Sequence, residues 1–264
     1  MVMRANSKIA LRLFKKHIAR FFTIIAIVIV SVGFMSGIGE LENKVKTSVN
    51  NYYITQNISD LYLKSSKQTG FSNQQLEFIQ NKFGQHNIFQ SFSYETKIND
   101  DIVRIYNFDI YNMQINKLEL IEGNMPKASN QILTERATSK IKGYKIGDKL
   151  NIYGQDYTVC GIVLNPYILN QIEEPSFMFE HHLDNVVYVN SQNLPIVNDI
   201  YITLQNRKAF DCFDKEYKSL IDNLKQELSS SDITVLSLYE NFGIYSLVQY
   251  AEKVGLISIV FVIF

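Results

Sequence analysis

Apolar and polar positions along this chain divide it into two apolar end segments and a long patterned middle. Residues Phe21 to Ile38, FFTIIAIVIVSVGFMSGI, contain no charge. At ~1.5 Å per residue, a helix of that length covers about 27 Å, close to the ~30 Å hydrocarbon core of a bilayer. A cleaved signal peptide also starts basic and then turns apolar, but its core typically runs about 7–15 residues and ends at an A-x-A-like site, which is absent here. A helix buried in a globular core seldom needs apolar side chains on every face. An uncleaved transmembrane helix is therefore expected over residues 21–39. Upstream, Lys8, Arg12, Lys15, Lys16 and Arg20 share one helical face, with Leu13, Phe14, Ile18 and Phe21 opposite. That pattern predicts a cytoplasmic amphipathic helix within residues 1–20, capped at Ser7 and lying on the membrane surface. At the far end, Gly255 to Phe264 (GLISIVFVIF) is uncharged and covers about 15 Å as a helix, half a bilayer. Residues 254–264 read as the start of a second transmembrane helix in a truncated chain, although their β-branched content would also suit a buried strand.

Between the two ends, residues 40–253 show mixed periods. Leu41, Val45, Val49 and Tyr52 predict a helical stalk over Glu40 to Gln56, followed by a strand from Ile58 to Lys64. Ser72 and Gln75 form a capping-box pattern for a helix with Leu76, Ile79 and Phe83 on its inner face and Gly84 at its end. Phe89–Ile98 and Ile102–Ile110 alternate around Asn99-Asp100-Asp101, a hairpin signal. Lys149–Val163 predicts a second hairpin with Gly154-Gln155-Asp156 at its tip. Strands are expected at Asn185–Asn190, Ile200–Leu204 and Ile233–Leu236. Phe210, Phe213, Tyr217, Leu220, Ile221, Leu224 and Leu228 line one face of a long predicted helix, and Tyr239–Lys253 is a helical approach to the second span. Hairpins mixed with helices make this an α+β domain with a hairpin-rich mixed sheet rather than a doubly wound one.

Charge then orients the chain. Arg4, Lys8, Arg12, Lys15, Lys16 and Arg20 precede the first span and no acid does, which places the N-terminus in the cytoplasm and residues 40–253 outside. The chain carries 26 basic and 26 acidic residues, so with six bases at the front the outer domain is mildly acidic. A nucleic-acid partner asks for the opposite. Two cysteines, Cys160 and Cys212, are too few for a disulfide framework. They could pair outside the cell, or stay as two small buried thiols.

Candidate chemistry is sparse. No GxxxxGK[ST], GxSxG, HExxH or CxxC is present, so neither ATP hydrolysis nor a familiar hydrolytic or zinc site is encoded, and no cofactor or metal is expected. Glu180-His181-His182-Leu183-Asp184 gathers metal-ligand types. Adjacent histidines on an extended chain point to opposite faces, however, so a solvated loop after Pro175 is the reading preferred. Glu173-Glu174 reads as a surface pair. Tyr52, Tyr53, Tyr94, Tyr106, Tyr111 and Tyr167 could line a ligand groove, though core packing is the commoner role. No catalytic constellation emerges, and the chain is not expected to be an enzyme.

Three segments resemble a known family. Leu118-Glu-Leu-Ile-Glu-Gly-Asn-Met-Pro126 is similar to an L-x-x-G-R-x-P segment, with Asn124 where Arg is frequent, and Gln131-Ile-Leu-Thr-Glu135 to the strand that follows it before a short helix. Lys145-Ile-Gly-Asp-Lys-Leu150 with Tyr157-Thr-Val-Cys-Gly-Ile-Val163 is similar to x-x-G-D-x-I followed by F-x-V-V-G-I-V, with Cys160 at a usual Val. As a set they resemble the FtsX-like/MacB-like permease family of ABC transporters, and the layout of spans agrees. Gly123, Pro126, Gly147, Asp148 and Gly161 are its structural motif residues. Gly123 and Pro126 bend the chain, Gly147-Asp148 turn into the hairpin, and Gly161 allows close backbone approach. The resemblance implies a multi-pass cell-membrane permease subunit with a separate ABC ATPase subunit as partner. It implies a dimer or pseudo-dimer of permease halves, contact with membrane lipid, an extracellular cargo or cell-wall partner, and coupling of ATP hydrolysis to movement outside. A stand-alone membrane-anchored binding or sensor domain is the alternative.

Overall fold

The computed structural model describes residues 12–138, 141–168, 182–241, 246 and 248–254, except for the side chains of residues 34–36, 38 and 39. The expected short helix after Glu135 is absent over residues 136–138. Residues 255–264 of the expected second span, the part of the amphipathic pattern within residues 1–11, and Glu173, Glu174, Glu180 and His181 lie outside the described residues. The chain forms two compact units, residues 1–46 with 248–264, and residues 47–247.

In the first unit, residues 12–16 are helical, and helix α1 runs from Ile18 to Gly39. Its described apolar side chains are open on all sides, Phe22 at 63% and Val30 at 69% exposure among them. Among the described residues no helix is long and apolar enough to cross a membrane; side chains of α1 are described through Gly33 and at Gly37. Helix α2, Leu41–Thr55, begins in this unit and ends in the second. Within the first unit Lys46 joins Glu42 at 2.6 Å and Glu252 at 3.1 Å, tying α2 to the helical residues 248–254.

The second unit is built on strands β1 (Leu61–Ser65), β2 (Ile88–Ile98), β3 (Asp101–Phe108), β4 (Glu119–Gly123), β5 (Gln131–Glu135), β6 (Lys149–Ile152), β7 (Gln155–Leu164), β8 (Asn185–Asn190), β9 (Asp199–Ile202) and β10 (Ile233–Ser237). Their order is β10-β1-β9-β2-β3-β8-β5-β7-β4, with β6 also on β7. Only β3 with β8 and β5 with β7 pair in parallel, so the sheet is mixed and the fold α+β. Strand β2 serves two neighbours in succession: Ile88–Ser91 pair with β9 and Phe92–Ile98 with β3. Asn99 and Asp100 both adopt positive φ, the two-residue turn that matches strand twist.

Side chains alternate across this sheet. Ile102, Tyr106, Leu133, Val186 and Tyr188 enter one core, while Val103, Ile105, Ile132, Val187 and Val189 enter another on the opposite face. Helix α3, Asn73–Phe83, has the predicted Ser72–Gln75 capping box and Gly84 end, although only Ile79 of its expected stripe is fully buried. Helix α4 covers Lys215–Leu228 rather than starting at Phe210, because residues 207–209 form a 3-10 turn and the chain around Cys212 is held by tertiary hydrogen bonds. The second hairpin turns at Tyr153 and Gly154, both at positive φ, with Ile152 opposite Gln155. The tip therefore lies one residue before the Gly154–Asp156 position expected from sequence.

Candidate functional site

The motif residues gather around the middle of β7. Gly123 ends β4 at φ 82° and pairs with Gly161 of β7. A β-carbon on Gly123 would lie 2.4 Å from the Cys160 carbonyl oxygen, and one on Gly161 would lie 2.6 Å from that of Asn124. The Asn124 N–H donates to the Cys160 carbonyl at 2.9 Å. Two backbones thus pass closer than side chains allow, and glycine is required on both sides. Gly147, at φ 94°, faces open space, so it supplies conformation only. Its N–H donates to the Val159 carbonyl, and Val159 N–H to that of Asp148. The Asp148 carboxylate accepts from Lys145 N–H at 2.8 Å. The Pro126 carbonyl accepts the Tyr111 hydroxyl. Gly123, Gly147, Asp148 and Gly161 therefore brace the junction of β4, β6 and β7, while Pro126 holds Tyr111 in the loop after β3.

A second assembly, with no local sequence signature, lies where the end of α2 meets the sheet. Asp60 is fully buried and bonds Arg207 Nε at 3.1 Å. It also accepts from the Tyr217 hydroxyl and, at 2.7 Å, from Leu204 N–H. Arg207 donates to the Ile58 carbonyl and lies over the Tyr53 ring of α2, 5.0 Å from its centroid. Burial raises the Asp60 carboxyl above its ordinary range; Arg207, Tyr217 and Leu204 oppose that rise. The Tyr53 hydroxyl and Arg207 Nη2 are buried without a hydrogen-bond partner among the described residues.

Next to this clasp, the backbone of Cys212 receives two elements at once. Its N–H donates to the Asn50 side chain of α2 at 3.1 Å, and its carbonyl accepts the Tyr239 hydroxyl at 2.6 Å. Tyr239 lies in the 3-10 turn Leu238–Glu240 on the way to the C-terminal helical residues. Burial pushes the Cys212 thiol up to about 12, keeping it protonated. Cys160 is half-buried, and both cysteines are free thiols.

Glu95, Glu135 and Asp199 are buried as well, Asp199 accepting from the Tyr62 hydroxyl at 2.6 Å and pairing with Lys64 at 2.8 Å. Glu95 faces Arg104 across the first hairpin, with its Oε1 2.7 Å from Nη2 and 3.0 Å from Nε. Glu135, at the end of β5, accepts the Tyr188 hydroxyl at 2.6 Å and Asn165 N–H at 3.2 Å. Burial pushes its carboxyl up to about 7, against the opposing hydrogen bonds and the charge of Arg136. Sequence reasoning missed Asp60, Arg207 and Glu135. The Glu95–Arg104 pair was within reach, since a two-residue turn at Asn99–Asp100 sets them opposite.

Of the metal-ligand residue types gathered at 180–184, Asp184 accepts from Ile102 N–H at 2.9 Å and pairs with Lys142 at 3.4 Å. Among the described residues no cluster of three or more His, Cys, Asp or Glu could hold a metal ion. Of the tyrosines considered for a groove, Tyr53 and Tyr106 are core residues, Tyr111 is exposed and Tyr94 lines an open pocket.

These features define a mixed-sheet α+β domain, braced by a glycine junction and clasped to the helix that enters it. The MacB-like periplasmic core domain profile matches residues 22–216, and the chain belongs to that family, among the MacB/FtsX-like ABC transporter permeases. Solved structures with similarity include the extracellular domain of the noncanonic ABC-type transporter YknZ from Gram-positive bacteria. It is 11% identical, with 67% of this chain and 99% of that chain covered and a TM-score of 0.36. The periplasmic region of MacB from Actinobacillus actinomycetemcomitans is 9% identical, with 76% and 96% covered and a TM-score of 0.38. Comparison with curated proteins found no match.

Proposed function

We propose that the chain is a permease subunit of an ABC transporter whose outer domain is moved by membrane helices driven from a separate ATPase. Phe21–Ile38 is the first membrane span in this reading: the open apolar side chains from Phe21 to Val32 call for a lipid surround, and the basic residues before it set the N-terminus inside. Residues 40–253 then lie outside, and the segment after Val254 enters the membrane again. Permease halves act as a dimer or pseudo-dimer.

The observation that carries this reading is the double hold on Cys212. Asn50 comes from the helix entering the domain and Tyr239 from the segment leaving it, and both bond one residue's backbone. A displacement of either segment is thereby delivered to the same point of the domain, as a hinge or shear transmission requires. The Lys46–Glu252 pair couples the same two elements in the first unit. The role is mechanical and recognitive rather than catalytic, in keeping with Asp60, Glu95 and Glu135 all being enclosed and engaged.

Replacing Ala251-Glu252 by Gly-Pro in the full-length protein tests the proposal, because that pair breaks the helix. Loss of cellular output, with expression and ATPase association intact, is the expected result. Unchanged output would overturn the coupling.

A further inference from the structure

Away from the clasp and the glycine junction, an open pocket of 460 Å³ is formed by β2, β3, the tip of the β6–β7 hairpin and the loop after β8. Three rings form a ladder along it. Phe92 and Tyr94 stand 5.5 Å apart on one face of β2, and Tyr153 stands 5.5 Å from Tyr94. Leu194 and Pro195 add apolar surface to the lining, with Asn107, whose amide donates to the Phe92 carbonyl at 3.5 Å, and Ser191, whose hydroxyl donates to the Asn193 carbonyl at 2.9 Å.

Tyr153 is costly for the fold as it stands. It holds φ 50° at the first position of a two-residue turn where Asn or Gly fits without strain. Its ring is 78% exposed, so packing returns little. Strain maintained at an exposed aromatic points to a use outside folding. The hydroxyls of Tyr94 and Tyr153 bond no protein atom among the described residues, which leaves both able to donate and accept.

The lining selects its ligand. It contains no Lys, Arg, His, Asp or Glu, so a charged ligand would lose water without gaining a counter-charge. A purely apolar ligand would leave the Tyr94 and Tyr153 hydroxyls unpaired. A neutral molecule with C–H faces for the rings and hydroxyls for the rim meets both demands. A proline-rich peptide fits the rings but offers carbonyl acceptors and few donors.

We infer that this pocket is a binding site for a neutral saccharide chain, stacked on Phe92, Tyr94 and Tyr153. The inference rests on the outward-facing reading of the domain for access to an extracellular glycan. The test uses the full chain purified in lipid nanodiscs, with the β-1,4-linked N-acetylglucosamine tetrasaccharide as probe and saturation-transfer NMR as readout. Wild type is expected to transfer saturation to sugar-ring protons. Tyr153→Asn, which suits the left-handed turn, is expected to weaken binding about fivefold with an unchanged or raised melting temperature. Absence of transfer in wild type, equal binding by the variant, or Tyr153-dependent binding of decaproline in place of the saccharide would overturn the inference. Because the titration uses purified protein, it fails separately from the topology. An Asn193→Cys label shielded from impermeant reagent in intact cells would overturn the outward-facing reading and the access that the inference needs.

Discussion

Replacing Arg207 by Met removes the cation from the Asp60 clasp while keeping much of the side-chain volume. The two side chains are 8% and 0% exposed, respectively. Leaving one partner of so buried a pair unmatched typically costs about 3–5 kcal/mol. The carboxylate keeps the Tyr217 hydroxyl and Leu204 N–H and, already raised by burial, answers by taking up a proton, which holds the loss near the lower figure. Forfeiting the position over the Tyr53 ring adds about 0.5–2 kcal/mol. Cys212, 2% exposed, is a built-in reporter. In a Cys160→Ser background, its reaction with a thiol-specific disulfide reagent at pH 8 follows the opening of this region. The combined loss of about 3.5–5 kcal/mol predicts a rise of roughly 300- to 4,000-fold in that rate. Adding Asp60→Asn to Arg207→Met should recover at least about 1 kcal/mol relative to the sum of the single changes, because no buried carboxylate then has to be neutralised at pH 8. A rate within about threefold of the parent, or simple additivity of the two substitutions, would refute the clasp.

Three other outcomes follow from the polar interior and the turns. Glu135 is raised from 4.5 to about 7 by burial, so the native state binds a proton that the unfolded state has released. Stability is therefore highest below the unfolded value and falls as pH rises from about 4.5 to 7, by roughly 3 kcal/mol; denaturant midpoints across that range should lose this slope in Glu135→Gln. Gly123→Ala combines a positive φ with a 2.4 Å backbone contact and should lower stability by about 2–4 kcal/mol, whereas Gly147→Ala meets only strain and should lose about 1 kcal/mol in the same melts. Impermeant thiol labelling of Asn130→Cys in intact cells should succeed without lysis, and protection until lysis would reverse the topology.

What the sequence disclosed was local. The Ser72–Gln75 capping box and the hairpin signal at Asn99-Asp100-Asp101 are set by residues within four positions of one another; the box stands as read, and the hairpin forms with a turn one residue shorter, Asp101 already opening β3. The second hairpin was located but its tip misplaced, because Tyr153 accepts a left-handed conformation that a tyrosine ordinarily avoids. The start of α4 was overextended because Phe210 and Phe213 keep the helical spacing while tertiary hydrogen bonds to Asn50 and Tyr239 hold the chain at Cys212 out of the helix. The clasp was invisible for a simpler reason. Asp60 and Arg207 lie on elements far apart in sequence, and nothing beside either residue announces the other. Gly123 and Gly161 were recognisable as motif glycines, but their mutual approach depends on β4 pairing with β7, which no local pattern encodes.

The central claim is that ATPase action changes the relation between the helix entering the domain and the segment leaving it. Lys46→Cys with Glu252→Cys places one thiol on each, at a pair whose side chains now meet at 3.1 Å. The direct measurement is the rate of their cross-linking in membranes containing the full-length permease and its ATPase, with and without ATP. The account predicts a rate that changes on ATP addition and returns to its starting value when hydrolysis is blocked. An identical rate in all three conditions, with the ATPase shown to be active, would contradict it.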